Sequence, residues 1–133
     1  MGSLPPARDL IRTLEDLCGQ YRPSAGTFWI SGVCSKLTVG TFDHRQQVYV
    51  THTEEGLFEL AACHGGMAWR QDAPFVWVHG VAFDDRGRAC GGRLLSPTIV
   101  VSGRMYLREL GGNGIADDIC AQMDMVVCSA PGT

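Results

Sequence analysis

The feature that most constrains this chain is a single change of hydrophobic period near residue 22. Before it, Leu10, Leu14, Leu17 and Tyr21 recur at helical spacing, with Ile11 and Cys18 beside them and Arg8, Asp9, Arg12, Glu15 and Asp16 facing away. The pattern predicts an amphipathic helix over 7–21, introduced by Pro5-Pro6 and ended by Gly19 with Pro23. After it the pattern is of the β type. Short strands are predicted at 27–30, 37–42, 47–51, 57–63, 75–83, 98–110 and 123–128. Asp43-His44-Arg45-Gln46 and Asp84-Asp85-Arg86-Gly87 read as turns, and Gly111-Gly112-Asn113-Gly114 as a flexible break. His64-Gly65-Gly66 reads as a tight turn that stops the apolar run 57–63. Over 98–110, Ile99, Val101, Gly103, Met105 and Leu107 are expected on one face, and Thr98, Val100, Ser102, Arg104, Tyr106 and Arg108 on the other.

One helix followed by about seven strands makes an α+β domain with a mostly antiparallel sheet. Its 133 residues suffice for one domain with its own core, so 1–133 is read as a single unit. One helix covers one sheet face. The other must be solvated, closed into a barrel, or covered by another subunit, and an oligomer is the expectation.

Composition narrows the function. Hydrophobic residues are 45% and charged residues 19%, which excludes a chain disordered over most of its length. No apolar run reaches the length of a membrane span, and the start lacks the pattern of a secretory signal, so a cytoplasmic protein is expected. The net charge is −3 and the pI about 5.7. With Lys36 as the single lysine, nucleic-acid binding is not the expected activity. None of the six cysteines forms a Cys-x-x-Cys pair, which argues against a zinc knuckle or ribbon. Most are expected to be small buried hydrophobes. A P-loop, Gly-x-Gly-x-x-Gly and Gly-x-Ser-x-Gly are all missing.

The stretch Trp77-Val78-His79-Gly80-Val81-Ala82-Phe83-Asp84-Asp85-Arg86-Gly87, with Gly91-Gly92-Arg93-Leu94 after it, resembles the plant and prokaryote conserved (PPC, or PCC) domain. Gly56-Leu57-Phe58-Glu59-Leu60, the Gly32 turn and Val39-Gly40-Thr41-Phe42-Asp43 resemble further segments of that family, in the same order. The resemblance covers about 7–110 and leaves 111–133 as a C-terminal extension. It implies a homotrimer with strands shared across subunits. The family's usual first strand has only about six residues here, so 123–128 is expected to supply that edge.

Departures from the family pattern carry information too. The first His of His-x-His falls on Trp77, and only His79 survives. The His of Gly-Gly-His-Leu falls on Arg93, and a Glu usual on the next long strand falls on Arg104. Two of three imidazoles are replaced, so no metal and no other cofactor is expected. Exchanging His and Glu for Arg turns a cation-binding position toward anions. The family resemblance places Glu59, Trp77, His79, Arg93 and Arg104 near one subunit boundary. Arg93 and Arg104 would then hold a carboxylate, Trp77 would pack its body, and His79 with Glu59 would move a proton. The competing reading pairs both arginines with Glu59 and Asp84 across the interface, with His79 as a satisfied polar group. Two further readings stay open: a DNA-associated regulatory domain, as the family is usually labelled, and a purely structural interaction module. The AT-hook of plant members is missing, since Arg86-Gly87-Arg88 is followed by Ala89 and lies in a turn.

Overall fold

Asp9 starts the helix. Its carboxylate accepts the Arg12 N–H at 3.1 Å as an N-cap, and α1 runs over Leu10–Tyr21. It passes through Gly19 and ends at Arg22, whose left-handed backbone lets its N–H reach the Cys18 carbonyl. Leu10, Leu14 and Cys18 are buried. Each leucine contributes roughly 1.5–3 kcal/mol by leaving water.

The computed structural model describes residues 1–110 and the backbone of 116–120 and 125–129. The predicted loop Gly111–Gly114 lies outside them. Before the helix comes β1 (Gly2–Ser3); after it come β2 (Gly26–Asp43), β3 (Val48–Arg70), β4 (Ala73–Phe83), β5 (Ala89–Glu109), β6 (Ala116–Cys120) and β7 (Met125–Ser129). The first six strands expected from the sequence thus fall within four long ones. β2 and β3 are each continuous, joined at the predicted Asp43 turn, where the Asp43 carboxylate accepts the N–H groups of Arg45 and Gln46. His64-Gly65-Gly66 is not a turn: β3 continues through it to Arg70.

All pairings in the main sheet are antiparallel, in the order β1-β5-β2-β3-β4, and β4 returns to pair with β5. The sheet therefore closes on itself, the second of the three solutions open to a one-helix fold. Following register from Gly40 through Arg93, His79 and His64 to Trp29 returns to β2 eleven residues away, the stagger of steeply tilted strands. α1 packs on β4 and β5, and its buried side chains join the same core as Phe28, Ile30, Val78 and Leu94. A second clasp holds it there: Asp9 also accepts the Thr98 N–H at 2.7 Å and the Ser96 hydroxyl at 2.6 Å.

Bulges break the simple alternation. Val33 pairs with Ser102 but Cys34 with Val100, so Val101 is extra. Thr98 and Val100 consequently point inward and Val101 outward, reversing the faces expected for that half of the strand. The edge beside β5 belongs to β1, through Gly2 with Met105 and Ser3 with Arg104. β7 pairs with β6 in a separate two-stranded sheet, so 123–128 does not replace the N-terminal strand.

Candidate functional site

A second bulge positions the site. Between Leu60 and His64, β3 carries one residue more than β2 and β4, and Leu60 and Cys63 both point inward although three apart. Without the extra residue His64 would face the core. With it, His64 stands on the outer face, in direct register with Trp29 of β2 and His79 of β4. His79 is in register with Arg93, and Trp29 with Tyr106. Directly paired residues share a face, so Tyr106, Trp29, His64, His79 and Arg93 form one row around the outside.

Val76, Val78 and Ala82 are buried, which leaves Trp77, His79, Val81 and Phe83 on the outer face of β4 as period two requires. Trp77 lies half-buried over β3. A Cβ on Gly66 would meet Trp77 Cζ2 at 2.6 Å and the Gly26 carbonyl at 2.9 Å, so the glycine exists for the close approach of the indole. The Phe75 ring lies 5.9 Å from Trp77, tilted by 33°.

Arg93 extends toward Phe75, with its guanidinium carbon 5.8 Å from that ring's centroid and 5.9 Å from the Tyr49 ring. Arg70, the last residue of β3, places its guanidinium 4.1 Å from the same Phe75 centroid. The two cations are therefore no more than about 10 Å apart, both near the Phe75 ring. Arg70 Nε and Nη2 are buried with no hydrogen-bond partner among the described residues. Buried charge-bearing donors in that state favour an anion. The His79 pKa is held below its ordinary value, first by partial burial, then by the Arg93 charge and by His64. A neutral imidazole beside a guanidinium is an acceptor, suited to take a proton.

Of the five residues expected to converge, the chain brings three together: Trp77, His79 and Arg93. Glu59 pairs with Phe83, four residues along β4 from His79, or about 13 Å away at ~3.3 Å per residue. Arg104 pairs with Ser31 and Ser3, beside Tyr106 at the opposite end of the row. Four strand spacings of ~4.8 Å separate that end from Arg93, about 19 Å along the sheet. Within one chain Arg93 and Arg104 do not close on one planar group, and the second guanidinium near Arg93 is Arg70. Asp84, named in the alternative pairing across an interface, has partners within its own chain. That carboxylate is engaged in its own turn by Arg88 Nε at 2.8 Å and by the N–H groups of Arg86 and Arg88. The same contacts hold Arg86-Gly87-Arg88 in a turn, unlike an extended minor-groove arm.

Sequence reading missed Arg70, Phe75 and Tyr49, and at the other end Trp29; it put Tyr106 with Arg104 and Arg108 on one strand face and read His64 as part of a turn. Arg70 follows from the β3–β4 hairpin, whose two-residue turn Gln71-Asp72 has positive φ at both positions. Such turns are normally announced by Asn or Gly.

The donor set does not fit a metal. His64 and His79 face each other, and the next side chain in the row is the Arg93 guanidinium, which donates only and repels a cation.

The Plants and Prokaryotes Conserved (PCC) domain matches residues 1–111. The fold resembles a plant- and prokaryote-conserved protein of Pyrococcus horikoshii, with TM-score 0.86 and 20% identity, covering 94% of this chain and 87% of that one. It resembles a metal-containing protein of Archaeoglobus fulgidus to the same TM-score and identity, over 97% and 91% of the two chains. A Ralstonia eutropha protein provisionally labelled DNA-binding matches with TM-score 0.82 and 21% identity, over 97% and 89%. No curated protein matches the sequence.

Proposed function

The chain belongs to the Plants and Prokaryotes Conserved domain family, and from that premise we propose that it binds a small planar carboxylate on its outer face. The observation that carries this reading is the pair of guanidiniums near Phe75, one of them with two buried nitrogens that have no hydrogen-bond partner among the described residues. Arg93 and Arg70 take the carboxylate, and Trp77 with Phe75 packs an aromatic or conjugated body. His79, neutral and adjacent to Arg93, is the group placed to accept a proton if the bound acid is turned over. Glu59 and Arg104 have no part in this site within one chain. The chain works as a homotrimer in this proposal. Exposed Val81 and Phe83 on the outer face, and the half of β3 before Glu59 that lacks a β4 neighbour, suit contacts with further copies.

A DNA-associated role is the second reading, and the label of the Ralstonia eutropha relative favours it. The net charge of −3 and the closed Arg86–Arg88 turn weigh against it. DNA affinity falling steeply with salt would support that role.

The test is a thermal-shift series with benzoate and related carboxylates. Ligand binding to the folded state raises Tm. A shift lost in both Arg93→Ala and Arg70→Ala supports the site. No shift with any acid, together with a smaller assembly in the variants, overturns it.

A further inference from the structure

The other end of the outer-face row holds a separate cleft. Trp29 and Tyr106, in direct register, are 57% and 47% exposed. Large aromatic rings left in water at adjacent positions are costly unless something covers them. The β3 bulge puts Ala61 and Ala62 opposite Ser31, so the floor beside the rings is built of small side chains, with His64 as the far wall. The resulting cleft has a volume of about 250 Å³, room for one ring system. Arg104 and Arg108 flank Tyr106 at two positions on either side, on the same face of β5 and both exposed. Glu109 points elsewhere, its carboxylate accepting the Ser24 N–H at 3.2 Å.

We infer that this cleft binds a nucleotide, its flat base against Trp29 and Tyr106 and its phosphate on Arg104 or Arg108. Aromatic side chains stack any base through its π-face, and neighbouring arginines hold the phosphate without a P-loop. The chemistry is shared by a free mononucleotide and by one nucleotide of a single strand. The site is independent of the carboxylate reading, because it lies beyond His64 and uses neither Arg70 nor Arg93.

The experiment is binding of a labelled oligothymidylate by fluorescence anisotropy, with AMP and adenosine as competitors. Trp29→Ala and Tyr106→Ala should each weaken binding about tenfold, the scale of one lost stacking contact. Arg104→Ala with Arg108→Ala should weaken AMP but not adenosine. AMP competing as tightly as the strand identifies the free nucleotide as the source. A strand much tighter than AMP, with affinity falling steeply in salt, identifies the strand. Absence of binding by all three probes overturns the inference, as does binding indifferent to Trp29→Ala. It is equally overturned if Trp29→Ala keeps its Tm but sediments as a smaller species, because the cleft is then a subunit contact.

Discussion

Arg70 and Arg93 hold their guanidiniums against one ring, Phe75, at 4.1 and 5.8 Å from its centroid. They come from strands that are not paired at those positions: Arg70 ends β3, and Arg93 sits where β5 meets β4. Closure of the sheet brings them together. Like charges repel, and an anion within reach of both offsets that repulsion.

Arg70→Gln is expected to reduce carboxylate affinity about tenfold to a hundredfold, the scale of a charged hydrogen bond. Arg104→Gln is expected to leave that affinity unchanged. Isothermal titration with benzoate checks both. Equal losses in the two variants would return Arg104 to the site.

His79 should titrate below its ordinary value of 6.5, and Arg93→Ala should move it back up. The sign for stability follows from linkage: the unfolded chain binds the proton more readily, so the contribution is present above about pH 6.5 and lost as pH falls through the folded value. Imidazole chemical shifts followed against pH decide it. A His79 that titrates identically in wild type and Arg93→Ala would remove Arg93 as a cause.

Asp9→Ala should lower stability by about 1–3 kcal/mol, because it removes the helix cap and leaves the part-buried Thr98 N–H without its acceptor. Urea unfolding with an unchanged m-value is the measurement. Asp9→Asn should recover part of the loss, since its side-chain oxygen still caps.

Gly66→Ala should displace the Trp77 indole, since the new methyl would stand 2.6 Å from Cζ2. A cost of about 1–3 kcal/mol is expected, with a shift in tryptophan emission. Unchanged emission would mean that the indole is not packed on this glycine.

Burial pushes the Cys18 and Cys34 thiols up to about 11, and raises Cys63 and Cys90 as well. At pH 8 these four should alkylate slowly in the folded protein and quickly in urea. Peptide mass spectrometry after iodoacetamide treatment reads each one separately. Fast labelling of Cys63 in the folded state would contradict its inert place in the core.

Periodicity and local turn chemistry determine much of this molecule. Leu10, Leu14 and Cys18 specify the buried helix face, the Asp43 and Asp84 turns are set by their own carboxylates, and alternation along β4 puts Trp77 and His79 outside. Each is decided by residues within a few positions of one another. The tertiary structure decided the rest. Whether His64 or Val100 faces in or out depends on a one-residue mismatch between paired strands, which neither strand's own pattern contains. The second guanidinium near Phe75 likewise comes from the far end of β3, through a Gln71-Asp72 turn without the usual signal. Register between distant strands is a property of the pair, so local patterns place each side chain on its strand and only closure says which side chains meet.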